Sequence, residues 1–265
     1  SAPGAERVPF RLLGVVFEDR HDGVADELVD VPPTRLDHRT HGVEISIEMF
    51  DDLAGSPFGA HGGEARQIGE KDGPLGLFGA TIPEEYGGLG LSASTYARIV
   101  EKIAETWMSL SGIFNSHLIM AACVTRMGTA AQKAAYLPRF ATGELRGGLA
   151  LTEPDAGTDL QGIRTRARRD GDGYVIDGTK TWITNGIHGQ CFALLVKTDP
   201  EAQPRHKGMS MFIAEKGAGF GVSKKLDKMG YKGIDSAELV FDGYRVGADK
   251  LIGGVEGKGF QTAVG

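Results

Sequence analysis

The sequence predicts an α+β protein in which an α-helical N-terminal domain precedes an antiparallel β-barrel or sandwich. Between Ser92 and Leu137, apolar side chains recur at helical spacing. From Gly147 onward, short runs alternate apolar and polar residues with a period of two, and turn residues separate the runs. Several short strands with such punctuation are typical of β-barrels and sandwiches.

The N-terminal half of the chain divides into two parts. Residues 1–63 have no assigned domain, although an alternating run over residues 43–49 predicts a strand. His38 and His41 lie three residues apart, but two ligands in irregular surroundings do not make a metal site, and we assign no metal ligands. Residues 64–146 are expected to form the helical domain, with helices at residues 92–109, 111–127 and 129–138. Ser92 or Ser94 caps the first helix, and Pro138 is expected to halt the third.

Residues 147–259 are expected to form the β-domain. Strands are expected at residues 147–152, 163–169, 173–177, 180–184, 191–198, 209–215, 221–226 and 237–245. The run from Asp170 to Gly173 is a hairpin turn signal, and Asp177-Gly178 predicts a second turn. The alternating Arg164, Arg166 and Arg168 indicate one solvated face of a strand.

Composition limits the possible partners. The formal net charge of −6 argues against nucleic acid as a main partner. Cys123 and Cys191 stand far apart, which indicates neither a disulfide framework nor a zinc ribbon, so a reducing, cytoplasmic setting is expected. No apolar run approaches 18 residues, so no membrane span is expected.

Two short stretches indicate a binding site for a flat ligand. On a strand, Trp182 and Thr184 would share one face and Ile183 would lie on the other, which places an aromatic plane beside a hydroxyl group. A flat heteroaromatic ring needs such a pair, one surface to stack on and one donor for its edge. The alternative is a core tryptophan beside a solvated threonine. The loop after Pro154 adds free amides and Gly157, which allow close approach of an anionic or carbonyl-rich ligand.

The two stretches, Leu-Thr-Glu-Pro-x-Ala-Gly-Thr-Asp and Gly-x-Lys-x-Trp-Ile-Thr-Asn-Gly, resemble the flavin-binding middle domain of acyl-CoA dehydrogenases. The resemblance covers about residues 76–265. It implies that Thr152 and Thr184 hydrogen-bond the isoalloxazine of FAD and that Trp182 packs on its face. Gly157 and Thr158 would lie near the FAD pyrophosphate, with Thr158 also near the substrate's pantetheine. It also assigns three apolar residues to the flavin site: Leu149, Leu151 and Ile183.

The resemblance implies an activity and partners. Such an enzyme removes the α-proton and β-hydride of an acyl-CoA thioester and passes the electrons to an electron-transfer flavoprotein. Family members form dimers or tetramers, and a C-terminal four-helix domain supplies the catalytic base. Residues 260–265 would be the start of that domain, so we assign no catalytic residue, and Glu153 is expected to be structural. The family's helices wall the acyl pocket, which makes three residues candidates for its lining: Phe114, His117 and Leu118. A cationic run could meet the CoA phosphates: Lys224, Lys225 and Lys228.

Two alternatives stay open. Acyl-CoA oxidases and flavin monooxygenases of the same superfamily share the middle domain but use oxygen. A non-catalytic or truncated subunit could instead act through a complete partner.

Overall fold

The computed structural model describes residues 11–17, 43–46 and 76–264. The chain separates into two compact units, residues 1–60 and residues 61–265. In the first unit, β1 (Arg11–Phe17) pairs antiparallel with β2 (Val43–Ser46). The strand predicted over residues 43–49 is therefore confirmed for its first four residues, and the remainder, like His38 and His41, lies outside the described residues.

The second unit begins with a helical layer. After the 3₁₀ turns Leu77–Gly79 and Glu84–Tyr86, helix α1 spans Ala93–Met127 and helix α2 spans Ala130–Ala141. The first two predicted helices are thus one helix, which is kinked where Trp107 adopts φ −154° and ψ 94°. Pro138 lies inside α2 instead of halting it. Proline removes one backbone donor, and the helix ends three residues later.

One part of α1 is apolar enough to resemble a membrane span. By length and composition alone, Trp107–Met127 could cross a bilayer, which the sequence interpretation does not anticipate. Most of this stretch is buried inside the protein, where Leu110, Phe114 and Met120 are at most 1% exposed. The burial accounts for its apolar character, as in the core helix of a globular domain.

The β-domain contains seven described strands in one sheet. They are β3 (Gly147–Ala150), β4 (Arg166–Asp170), β5 (Gly173–Thr184), β6 (Cys191–Lys197), β7 (Met209–Glu215), β8 (Phe220–Lys225) and β9 (Ser236–Gly247). The strand order is β3-β6-β4-β5-β9-β8, with β7 also paired to β6. The expected helical layer followed by a β-domain is confirmed, but the curled sheet is mixed, because β6 pairs in parallel with β3 and β4. A short helix α3 (Gly259–Val264) follows.

The turn predicted at Asp177-Gly178 is wrong. The two strands expected on either side of it form the single strand β5, and the register against β9 shifts at this point. Gly178 has φ +148°, and a Cβ there would lie 2.4 Å from the Thr165 hydroxyl oxygen. The glycine therefore provides a bulge under a close crossing of the chain, because only glycine accepts that backbone without a clash.

Polar contacts join the helical layer to the β-domain. Gln132 forms a capping box with Thr129, and its side-chain amide also donates to the carbonyls of Asp249 and Leu251, each at 2.7 Å. Its side-chain oxygen accepts from the amide of Gly253 at 3.1 Å. All donors and acceptors of this buried amide are therefore used in one joint.

Candidate functional site

The structure brings the two halves of the sequence motif together. The amide of Thr181 donates to the carbonyl oxygen of Thr152 at 2.9 Å, so the loop after β3 lies against the end of β5. On the other side, a Cβ on Gly148 would lie 3.0 Å from the carbonyl oxygen of Thr184. The loop after β3 and the end of β5 are therefore neighbours, which brings Thr152 next to the segment that carries Trp182 and Thr184.

A buried ion pair holds this arrangement. The Lys180 ammonium donates to a Glu153 carboxylate oxygen and to the carbonyl of Leu151, both at 2.8 Å. The same carboxylate accepts from the backbone amides of Arg164 at 2.6 Å and Thr165 at 3.0 Å. Lys180 is fully buried and Glu153 is 7% exposed, so each charge depends on the other for compensation.

Both members of the pair are ionised at neutral pH. Burial lowers the pKa of Lys180 to about 8, opposed by the charge of Glu153. Burial alone would raise the pKa of Glu153, but the charge and hydrogen bond of Lys180 outweigh it and hold the pKa below its ordinary value. Glu153 is thus committed to a structural contact, as the sequence interpretation expects.

Trp182 has an unusual backbone and an exposed ring. Its φ is +58°, in the left-handed region that bulky residues rarely adopt, and the pairing of β5 with β9 shifts register between Lys180 and Ile183. The side chain is 59% exposed, whereas Ile183 is 3% exposed. The predicted separation of the two faces is therefore present, but a bulge creates it instead of regular strand alternation.

The other predicted contact residues differ in exposure. Gly157 and Thr158 are exposed on the loop, and a Cβ on Gly157 would find only the Thr152 methyl within 4 Å, at 3.9 Å. Four residues are partly exposed: Leu149, Leu151, Thr152 and Thr184. Leu149 belongs to β3, whereas Leu151 and Thr152 follow it, so the set lines the rim where β3 meets the end of β5.

Asn185 fixes this rim to the helical layer, a role that its turn-forming character alone does not predict. Its side-chain amide donates to the carbonyls of Ile113 on α1 and Gly147 on β3, both at 2.9 Å. Asp235 supports the following turn, because its carboxylate accepts from the amide of Ile187 at 2.8 Å. Three segments thus hold the end of β5 in place.

The helical residues considered as pocket lining lie in the core. Phe114, His117 and Leu118 are at most 3% exposed. The Nε2 atom of His117 lies 3.0 Å from the carbonyl oxygen of Phe140, and burial lowers the pKa of His117 to about 4. A neutral, enclosed imidazole is consistent with a packing role in this structure.

The exposed rim carries groups that could hold a flat ring such as the isoalloxazine of FAD. A large aromatic side chain is exposed to solvent, two threonines of the rim are partly exposed, and a buried ion pair joins the loop to the strand. A flat ring can stack on Trp182, while the hydroxyls and backbone groups of Thr152 and Thr184 can bind polar ring atoms. The open space around Gly157 leaves room for a phosphate-bearing chain.

Protein-family models match most of the described chain. The N-terminal domain of acyl-CoA dehydrogenases matches residues 60–144, and the middle domain matches residues 148–244. The (2S)-methylsuccinyl-CoA dehydrogenase of Cereibacter sphaeroides is 37% identical over 241 residues, which cover 85% of this chain and 44% of that protein. The mitochondrial isovaleryl-CoA dehydrogenase of Arabidopsis thaliana is 40% identical over 191 residues, covering 71% and 46%.

Solved structures agree with these matches. The acyl-CoA dehydrogenase of Geobacillus kaustophilus superposes with a TM-score of 0.70 at 40% identity, covering 74% of this chain and 52% of that one. An acyl-CoA dehydrogenase of Bacillus anthracis in complex with FAD gives 0.70 at 34% identity, covering 80% and 35%. A chain from a study of the electron transferring flavoprotein of Acidaminococcus fermentans gives 0.71 at 36% identity, covering 75% and 52%.

The chain spans about half the length of the curated relatives that it matches. Its helical layer, its curled mixed sheet and the joined motif halves all correspond to the N-terminal and middle domains of one family. The chain belongs to the acyl-CoA dehydrogenase family.

Proposed function

We propose that this chain binds FAD and acts in the α,β-dehydrogenation of an acyl-CoA thioester, with the electrons passing to an electron-transfer flavoprotein. The family is FAD-dependent, and its members act on acyl-CoA substrates. When bound, the flavin supplies the acceptor for the substrate β-hydride. The protein's contribution, in our proposal, is to orient that ring and the thioester and to exclude water.

The exposed indole of Trp182 is the observation that carries the proposal. A bulky residue with left-handed φ costs roughly 1–3 kcal/mol, and such strain tends to persist where the surroundings enforce it for function. Here the surroundings are the Glu153–Lys180 pair and the bond from Thr181 to Thr152. The strained backbone exposes the indole ring to solvent, where a flat ligand can stack on it.

We propose a positioning role, without a catalytic base, for the loop at Thr152. Glu153 carries a carboxylate near the predicted ring, but Lys180 neutralises it and lowers its pKa, so it has no tendency to take up a substrate proton at neutral pH. Thr158, exposed on the loop, is proposed to contact the pantetheine part of the substrate. We further propose that the chain assembles as a dimer or tetramer and acts in the cytoplasm.

FAD binding to the purified chain tests the proposal. Titration followed by flavin fluorescence and absorption should give saturable binding to the wild type. Trp182→Ala should weaken it roughly two- to tenfold, because a stacked aromatic pair contributes about 0.5–1.5 kcal/mol. Trp182→Phe keeps a flat ring and should lose less. Val222→Ala, which shortens another exposed apolar side chain, should leave affinity unchanged. Equal FAD affinity in the wild type and Trp182→Ala would refute the stacking role.

The electron acceptor needs a separate measurement. Reduced protein mixed with an electron-transfer flavoprotein should be reoxidised faster than the same protein in air. Rapid reoxidation by oxygen, with peroxide or a hydroxylated product, would instead identify the oxidase or monooxygenase chemistry.

A further inference from the structure

One peptide group in the turn after β5 lies between two opposite charges. The Lys216 ammonium donates to the carbonyl oxygen of Gly186 at 2.7 Å. A carboxylate oxygen of Asp235 accepts from the amide of Ile187 at 2.8 Å. That carbonyl and that amide belong to the same planar trans peptide, on which they point in opposite directions. The peptide dipole is therefore aligned with both charges, its oxygen toward the ammonium and its amide toward the carboxylate.

Each of the two charged residues makes a second contact with the same turn. Lys216 also donates to the carbonyl of Ile187 at 2.8 Å, and the backbone carbonyl of Asp235 accepts from the amide of Asn185 at 3.2 Å. Rotating the peptide by half a turn would direct its carbonyl oxygen at the carboxylate and its amide at the ammonium. Both charge-assisted hydrogen bonds would then be lost, so the two charges hold the peptide in one orientation.

The carboxylate of Asp235 is buried at a cost in free energy. The residue is 9% exposed, and its second carboxylate oxygen has no hydrogen-bond partner among the described residues. Burial lowers the pKa of Lys216 and that of Lys228, and the charge of Asp235 opposes the shift at each, so two cationic groups offset part of this cost. An uncharged side chain could also accept from the amide of Ile187, so what the carboxylate adds is its charge.

The turn held by the two charges directly follows the residues assigned to flavin. Thr184 pairs with Ser236 at the last register position of β5 against β9, and Asp235 directly precedes that partner. Trp182, with its left-handed backbone, lies inside the register shift that comes before this pair. Thr184 thus lies between an irregular stretch of the strand and the turn, so the turn limits the conformations open to it.

We propose that Lys216 and Asp235 are positioning residues for the flavin site. By fixing the peptide between Gly186 and Ile187, they hold Thr184 in the conformation in which its hydroxyl and backbone can bind the edge of the ring. The inference rests on the proposed binding of FAD, because it names residues that orient the same site without contacting the ring. The alternative is that the two charges stabilise the turn and have no effect on the ligand.

Hydrogen exchange of the full chain without ligand tests the contact between the charges and the turn. In Lys216→Met, the amides of residues 185–189 should exchange roughly ten- to a hundredfold faster, as expected for losing hydrogen bonds to a charged group. Lys216→Arg keeps the charge and the donors and should retain slow exchange. Residues 192–196, in the buried part of β6, are the internal reference and should not change in either variant. Wild-type exchange of the turn in Lys216→Met would overturn the proposal.

Titration with FAD tests the positioning role itself. Lys216→Met, and Asp235→Asn, which keeps an oxygen for the amide of Ile187 but not the charge, should each weaken binding roughly three- to tenfold, because about a third to a tenth of the molecules would keep the competent turn. The visible absorption band of bound FAD should also shift, since the hydrogen bonds at the ring edge change. Tyr174→Phe removes a hydrogen bond to Glu256 at the other end of β5 and should alter neither affinity nor band.

The outcomes separate this inference from the proposed function. Absence of FAD binding to the wild type would refute the proposed function and, with it, the positioning role. If the wild type binds FAD, and Lys216→Met and Asp235→Asn bind it with wild-type affinity and an unchanged absorption band, only the positioning role is overturned. Lys216 and Asp235 would then be residues that stabilise the turn, and a lower melting temperature would be the sole effect of replacing them.

Discussion

Replacing Lys180 with methionine should leave the buried Glu153 carboxylate of the β-domain without its ion-pair partner. The ammonium makes two bonds of 2.8 Å, one to Glu153 and one to the carbonyl of Leu151. Methionine fills much of the space of the lysine stem but donates to neither oxygen. The carboxylate would keep its two backbone donors and lose its only ion-pair partner among the described residues.

We expect this substitution to lower the free energy of unfolding by more than most single substitutions do. Breaking a buried ion pair by removing one partner costs about 3–5 kcal/mol, and the exposures of 0% for Lys180 and 7% for Glu153 leave little solvent to relieve it. For a domain of this size, that corresponds to a fall in melting temperature of roughly 6–20 °C. The double variant Glu153→Gln/Lys180→Met removes both charges and should regain most of the stability.

Urea unfolding followed by circular dichroism at pH 7 and pH 5 measures the effect. In the variant, burial without Lys180 should raise the folded-state pKa of Glu153 above its unfolded value of about 4.3. A carboxyl group with a raised folded pKa stabilises the protein below the unfolded pKa, and this contribution is lost as pH rises through the folded pKa. The deficit relative to wild type should therefore be smaller at pH 5 than at pH 7.

Two results would refute this reasoning. A Lys180→Met variant within about 1 kcal/mol of wild type at pH 7 would mean that water or relaxation compensates the carboxylate. A double variant no more stable than the single one would mean that lost packing, and not the unpaired Glu153 charge, lowers the free energy of unfolding.

Two further predictions concern other buried polar groups. Asn185→Ala should lower the free energy of unfolding in urea by about 1–3 kcal/mol, because it removes two buried hydrogen bonds, to the carbonyls of Ile113 and Gly147; a loss under about 1 kcal/mol would contradict the proposed joint. Cys123 and Cys191 should not react with a thiol reagent at pH 8 until the protein unfolds, since burial raises the pKa of Cys123 to about 11 and that of Cys191 further. Stoichiometric labelling of the native protein, measured by absorbance, would show that these thiols are accessible.

The sequence is informative where a local pattern has one structural solution. The period-two alternation correctly places Arg166 and Arg168 on an exposed face of β4, whereas Arg164, predicted to share that face, precedes the strand. Asp177-Gly178 is different, because a turn and a bulge share that dipeptide. What separates them is Thr165, which lies close to Gly178 only in the folded sheet. A non-local contact thus decides a feature that looks local.

The candidate site shows the same limit. The motif residues identify a site for a flat ligand, but they do not show that Trp182 has a left-handed backbone. The Glu153–Lys180 pair spans 27 residues, and a lysine in a strand ordinarily predicts an outward-facing side chain. Its inward direction follows from the loop that crosses above it, which no periodicity in the sequence encodes.

The side-chain amide of Gln132 uses all of its donors and acceptors, which restricts the side chains that can replace it between α2 and the β-domain. Its side chain presents two donors to the carbonyls of Asp249 and Leu251 and one acceptor to the amides of Thr129 and Gly253. Glutamate would direct a negative charge at two carbonyl dipoles. Leucine would remove the partner of three backbone groups, the amides of Thr129 and Gly253 and the carbonyl of Asp249, whereas the carbonyl of Leu251 also accepts from the amide of Gly254. Apolar surfaces can slide past each other at little cost, whereas this directional contact fixes one docking angle between the helix and the sheet.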